Sequence, residues 1–246
     1  MPQSGGPPYG SLRRSIELFR LFRCEQSAPE DFYSALALDS VRSISRFAPL
    51  AGRTVLDVGG GPGYFRDAFE STHARYVALD ADLGELAAVG SAGHGTLLGS
   101  GMALPVRTDA VDVCFSSNVL EHVPRPWVMA DEMVRVTRPG GTVVVSYTAW
   151  WGPWGGHETS PWHYLGGARA ARRYQRRTGR PPKNRYGQSL FPVTVASGLS
   201  WASARGDATV LAAEPRYLPS WARGIVHVPG VRELVTWNLL LVLRVA

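Results

Sequence analysis

The chain is poor in the residues that would staple or anchor it. Only Cys24 and Cys114 occur in 246 residues, and Cys114 sits in an apolar run that reads as a buried strand, so a disulfide framework is not expected and a reducing compartment is. Lysine is almost missing: the 26 basic residues are 25 arginines and the single Lys183. A bias toward GC-rich codons accounts for that skew more simply than a need for guanidinium chemistry. No segment reaches the roughly 18 consecutive apolar residues of a membrane span, and Met1 to Gly10 carries prolines and glycines where a charged leader would stand. These absences lead to the expectation of a soluble, cytoplasmic protein, with loose attachment to the inner face of a membrane still compatible.

The charge is local. Arg169, Arg172, Arg173, Arg176, Arg177, Arg180, Lys183 and Arg185 fall in one stretch without an acidic residue, and setting these eight aside leaves 18 basic against 20 acidic residues. The arginines recur every three or four residues, as on a solvated helix face. No base-reading module accompanies them, so nucleic acid is not the expected partner.

Apolar spacing predicts helices within Ser11 to Arg23 and Asp31 to Phe47. From Thr54 the pattern changes to short Val- and Leu-rich runs, at Thr54 to Val58, Tyr76 to Leu79, Thr96 to Leu98, Val111 to Ser116 and Thr142 to Tyr147. Helical segments separate them: Gly63 to Ser71, Leu83 to Val89 and Pro126 to Val136, the last stopped by Arg138-Pro139-Gly140-Gly141. This alternation predicts a doubly wound α/β domain with a mostly parallel sheet covered on both faces. A Trp-, Gly- and Pro-rich stretch, Trp150 to Trp162, then leads into the basic segment. Ala208 to Ala213 and Thr236 to Val245 read as the last two strands, around a helix-like Trp221 to Val226. The expected division is an N-terminal helical cap (1–50), a core (51–148), a substrate-side insertion (149–206) and the last two strands (207–246), in one domain.

Val55-Leu56-Asp57-Val58-Gly59-Gly60-Gly61-Pro62-Gly63 is a strand running into a glycine turn that opens a helix, where main chain can approach a ligand closely. A dinucleotide fingerprint would need a third glycine where Tyr64 stands. An acid at Asp57 would repel a pyrophosphate and suits a ligand bearing an ammonium group. Asp80 ends the second strand, where a carboxylate can accept both hydroxyls of a ribose.

D-x-G-x-G-x-G here resembles motif I of class I methyltransferases. The resemblance continues through Gly99-Ser100-Gly101-Met102-Ala103-Leu104-Pro105, Val111-Asp112-Val113, Ser117-Asn118-Val119-Leu120-Glu121-His122-Val123 and Glu132 with Arg135 to Gly141. It covers about residues 50 to 148 and is similar to the common small-molecule methyltransferase domain of bacteria. The resemblance implies a Rossmann-like seven-stranded sheet, N-terminal helices, a lid-like insertion after the fifth strand, and S-adenosyl-L-methionine as cofactor. It implies cofactor contacts from Asp57, Gly59, Gly61, Gly63, Asp80, Ala81, Ser100, Gly101, Met102 and Asn118. The family usually has an acid at the position of Ser100, so a hydroxyl there gives a weaker neutral hydrogen bond to adenine.

Methyl transfer from a sulfonium is an in-line displacement, and a base is needed only if the acceptor keeps its proton at neutral pH. His122, His157, Glu158 and His163 are the candidates for base or acceptor contact, the last three beyond the fifth strand where open α/β sheets bind ligands. His157-Glu158-x4-His163 lacks the spacing of a helical zinc site, and no metal is expected. Trp150, Trp151, Trp154 and Trp162 beside the arginines suit a small or lipid-like acceptor, such as a polyketide or glycolipid precursor, methylated on oxygen. Two readings stay open beside this one: a nicotinamide-dependent oxidoreductase of similar architecture, and a non-catalytic membrane or nucleic-acid adaptor using the arginine segment.

Overall fold

In the computed structural model, which describes residues 7–24, 29–87 and 95–246, the short apolar runs become strands buried on both faces. β1 (Thr54–Val58), β2 (Arg75–Asp80), β3 (Thr96–Leu98) and β4 (Val111–Ser117) are parallel, and β5 (Thr137–Thr148) continues parallel to β4. β6 (Ala208–Pro215) and β7 (Asn238–Val245) close the sheet, with β7 antiparallel to both β5 and β6. The order is β3-β2-β1-β4-β5-β7-β6. The chain builds outward from β1 to β3, then crosses back to lay β4 on the other side of β1. That reversal opens a crevice at the carboxyl ends of β1 and β4.

The period-two side-chain alternation divides the interior into two layers. Leu56, Cys114, Val143, Val145, Leu241 and Leu243 point to one face, covered by α5 (Pro126–Val136) with Met129, Met133 and Val134 and by α7 (Val195–Ser203). Val55, Val113, Phe115, Val144, Leu240 and Val242 point to the other, covered by α2 (Pro29–Ile44) and α3 (Arg66–Glu70) with Phe32, Leu36, Ile44 and Phe69. α4 (Leu83–Ala87) follows β2, and the expected end of this helix at Val89 lies outside the described residues.

α1 (Leu12–Arg23) starts at a Ser11 cap and is clamped by a buried ion pair, Arg14 to Asp39 of α2 at 2.5 Å. Arg14 Nη1 also donates to the carbonyl of Arg216, which ties the N-terminal helix to the chain leaving β6. Among the described residues no helix is long and apolar enough to cross a membrane.

Two local expectations are corrected. β5 begins at Thr137, not Thr142: the Arg138-Pro139-Gly140-Gly141 turn is absorbed into the strand as an irregularity opposite Val111 to Val113, with Gly140 at φ 73°. The helix-like Trp221 to Val226 region forms as expected, as a 3-10 helix over Ser220–His227, followed by the short α8 (Val231–Val235). Between the arginines and β6 the sequence reading has no helix, yet α7 forms there behind a Thr194–Ser197 capping box. Its Val195 and Ala202 belong to the core, so the last part of the 149–206 segment is framework. The arginine helix is α6 (Gly167–Thr178), exposed except at the buried Gly167 and Ala170 and the half-buried Ala171 and Tyr174, and it ends on Gly179.

Candidate active site

The glycine turn after β1 is held from two sides. Gly59 has φ 80°, and a Cβ there would lie 2.4 Å from Val119 Cγ2, so only glycine lets the turn and the segment after β4 close together. Asp80, at the end of β2, accepts the Gly61 amide on Oδ2 at 3.0 Å and the Asp82 amide on Oδ1 at 3.0 Å. Asp82 in turn caps α4, its Oδ1 accepting the Gly84 amide at 2.7 Å. Tyr64, just after the turn, stacks on Tyr33 of α2 at 4.8 Å, so the cap helix braces the loop.

These elements enclose an open cleft of about 360 Å³ at the switch point of the sheet. Gly59, Asp80, Ala81, Gly101, Asn118 and His122 line it, with Val58, Leu79 and Met129 as its apolar floor. Six of the fourteen residues expected to act thus converge on one cavity. Lys183 and Asn184 also reach it, from the end of the basic segment. Sequence reasoning counted Lys183 only as one charge among eight; its being the sole lysine was the one available signal.

Asp57 is placed differently from expectation. It is 2% exposed, behind the turn, with Oδ2 accepting from Tyr76 Oη at 2.5 Å, and it is absent from the cleft wall. Burial pushes its carboxyl up to about 7, with the Tyr76 hydroxyl opposing and Asp80 adding to the rise. A Cβ on Gly60 would stand 3.2 Å from this carboxyl, so Asp57 underpins the turn from beneath.

Ser100 is exposed and its Oγ accepts the Met102 amide at 3.2 Å, which shapes the loop after β3. Gly101 faces the cleft, while Met102 packs partly buried against the core. Gly61 and Gly63, at φ 48° and 85°, complete the turn without themselves lining the cavity.

Asn118 is the junction of the site. It has φ 57°, its Oδ1 accepts from Asn238 Nδ2 at 2.7 Å, and it lines both the open cleft and a narrow second chamber of about 40 Å³. That chamber is walled by Leu18 and Phe22 of α1, Phe32 of α2, Trp154, Tyr217 and Trp237. Its rings pack edge to face, Phe22 to Trp154 at 5.4 Å and Tyr217 to Trp237 at 5.2 Å.

The expected chemical residues separate. His122 lies on the cleft, its Nδ1 2.7 Å from the Ser189 carbonyl, which as an acceptor fixes the proton on Nδ1. His157 packs against it, ring centroids 5.0 Å apart, and has φ 48°. Burial lowers the His157 imidazole to about 4, with Glu121 opposing, so it is neutral at neutral pH. Glu158 accepts from Asn184 Nδ2 at 3.0 Å and steadies the strap over the cleft. His163 is fully buried between Trp150 and Tyr164 and lines neither cavity. Glu121, which sequence reasoning passed over, is 1% exposed, and its Oε1 accepts the Thr148 amide at 2.9 Å across the top of β5.

Comparison with known proteins agrees with this geometry. A family model described as a methyltransferase domain matches residues 56–145. An uncharacterized methyltransferase of Mycobacteroides abscessus is 53% identical over 247 residues, covering 95% of each chain, and one of Mycolicibacterium paratuberculosis is 53% identical over 244 residues at the same coverage. Among solved structures, a complex of a Haloferax volcanii methyltransferase with the Trm112 activator aligns at TM-score 0.58 and 17% identity over 96% of this chain and 99% of that one. An S-adenosylmethionine-dependent methyltransferase from Mesorhizobium loti aligns at 0.54 and 18% over 86% and 97%.

Proposed function

The chain belongs to the class I S-adenosylmethionine-dependent methyltransferases, and from that premise we propose that it moves the methyl group to an oxygen of a small or lipid-like acceptor with an apolar body. S-adenosyl-L-methionine is the cofactor. The residues lining the cleft suit it: Asp80 would accept from the ribose hydroxyls, Ala81 and Gly101 would border the base, and the Gly59 main chain with Asn118 would meet the amino-acid end. When bound, the cofactor supplies a methyl group on a sulfonium, and the protein's task is alignment and exclusion of water.

The observation that carries the acceptor reading is that Asn118 lines both the cofactor cleft and an aromatic chamber. An acceptor whose apolar end lies among Phe22, Phe32, Trp154 and Trp237 would present its polar atom near Asn118, beside the cofactor. The chamber is small as it stands, so α1 would move outward to admit a long apolar body, and the 150–185 segment with α1 would act as a lid. The exposed arginine row of α6, with Arg173 stacked 3.9 Å over Trp162, suits an anionic head group or membrane surface at the entrance.

Transfer of radiolabelled methyl from S-adenosylmethionine to a panel of apolar alcohols and phenols, matched amines and short polar alcohols tests this. Label on the apolar hydroxyl compounds with little on the other two sets is expected. Label confined to amines, or to polar alcohols, would contradict it.

A further inference from the structure

Beside the cofactor cleft, three side chains that the methyl-transfer geometry does not itself require come together. Glu121, His122 and His157 each offer one ligand atom, and these atoms all lie within 4.8 Å of one another. Two of the residues are adjacent at the end of β4, in the 3-10 turn Leu120–His122; the third comes from the 3-10 turn His157–Thr159, more than thirty residues later. We propose that this trio binds a divalent transition-metal cation of the zinc class, as a two-histidine, one-carboxylate site behind the cleft wall, which it meets at His122.

Four observations support the site. Glu121 Oε2 is buried and has no hydrogen-bond partner, although Oε1 is satisfied by the Thr148 amide. A buried carboxylate left half-paired is costly unless a cation or donor completes it. His157 Nε2 is likewise buried without a partner. His122 donates Nδ1–H to the Ser189 carbonyl, which leaves Nε2 as the free lone pair and locks the ring, the outer-shell arrangement that orients metal-ligating histidines. His157 is held at φ 48°, a conformation that disfavours side chains other than glycine and persists where surrounding structure imposes it. An inward shift of less than an ångström would bring the three atoms to the usual zinc distances of about 2.0–2.2 Å.

The donor set suits a borderline cation such as Zn²⁺, Mn²⁺ or Fe²⁺ better than Mg²⁺ or Ca²⁺, because two of the three ligands are imidazoles. Three protein ligands leave a coordination position for an exogenous oxygen. Resting on the methyltransferase reading, that oxygen is the acceptor's hydroxyl. The cation acidifies it, and its proton leaves to water. An oxygen lone pair then forms the new C–O bond as the methyl C–S bond breaks, with the electron pair staying on sulfur as a neutral thioether. This trio shares only His157 with the His157-x5-His163 pair considered from sequence, and it makes no use of His163.

Cobalt(II) is the probe, because its visible absorption reports histidine and carboxylate ligation directly. Titrated into the chelator-stripped full chain, it should bind one equivalent with a visible band, and Zn²⁺ should displace it. His157→Ala and Glu121→Gln should each weaken cobalt binding at least tenfold, with far-UV circular dichroism unchanged; Glu121→Gln keeps an oxygen for the Thr148 amide. His163→Ala should bind cobalt within twofold of wild type if it stays folded. S-adenosylhomocysteine affinity, measured on the same samples, should be unchanged in His157→Ala. No saturable cobalt band in wild type, or an unaltered one in His157→Ala, overturns the metal site even when S-adenosylhomocysteine binds. A cobalt site lost in His157→Ala, in a chain that ignores S-adenosylhomocysteine, upholds the metal site and refutes the role given to it.

Discussion

The two cavities that meet at Asn118 are built in opposite ways. The cofactor cleft takes most of its walls from one continuous stretch between Val58 and Met129, folded on itself by parallel strands, and it is lined by backbone, glycine and carboxylate. The aromatic chamber takes Leu18, Phe32, Thr148, Trp154, Tyr217 and Trp237 from across nearly the whole chain. The first shape is fixed by local backbone geometry; the closed form of the second is set by the docking of α1 through Arg14, Asp39 and Arg216. The contrast fits a division of labour in which cofactor recognition is rigid and acceptor recognition is adjustable.

Four variants break or sharpen that contrast. The largest effect is expected from Gly59→Ala, which adds a Cβ 2.4 Å from Val119 Cγ2 at a φ of 80°. It should cost about 2–3 kcal/mol of stability, lowering Tm by roughly 5–10 °C, and remove measurable cofactor binding. A variant that melts and binds as wild type would show the turn to be pliable.

Asp57→Asn tests the buried underpinning. The folded carboxyl sits at about 7 against 3.8 for the free group, so the unfolded chain gives up this proton earlier as pH rises. The wild type's stability contribution from Asp57 is therefore full below pH 3.8 and is lost as pH climbs to 7. An asparagine cannot ionise. In urea denaturation, the stability of the variant relative to wild type should rise by about 2 kcal/mol between pH 5 and pH 8. A difference independent of pH would mean the carboxyl is not held neutral.

Phe22→Ala addresses the other cavity. It should leave S-adenosylhomocysteine affinity within twofold and raise acceptor KM about tenfold, equivalent to ~1.4 kcal/mol of apolar contact. Equal losses on both ligands would erase the distinction between the cavities. The smallest effect is expected from Arg176→Glu with Arg177→Glu on the exposed face of α6: stability within about 0.5 kcal/mol of wild type, with reduced sedimentation on anionic vesicles.

The same contrast explains what the sequence disclosed. The first five strands and the cluster of Gly59, Asp80, Ala81, Gly101 and Asn118 were legible because each rests on a local signal: a short apolar run, a glycine turn, an acid at a strand end. Asp57 shared that signal but not its expected position, because the hydroxyl of Tyr76 on the neighbouring strand draws the carboxylate into the core. α7 escaped because its apolar stripe, Val195, Leu199 and Ala202, is short and interrupted by Ser and Gly, and the helix is specified by its Thr194 cap and by close packing of Gly198 on Tyr147. His163 looked chemical from its neighbours in sequence and is packing material in three dimensions. Glu121 stood within the segment that carried the family resemblance and Lys183 within a run of charge, neither with a chemical role, and only the fold brings Glu121 to His157 and Lys183 to the cleft.

The central claim is that Asp80 both braces the glycine turn and receives the ribose of the sulfonium nucleotide. Calorimetric titration of S-adenosylhomocysteine into wild type and Asp80→Ala tests it most directly. The account predicts saturable one-to-one binding to wild type and at least a hundredfold weaker binding to a folded Asp80→Ala; equal affinity in the two, or no binding to the wild type, would contradict it.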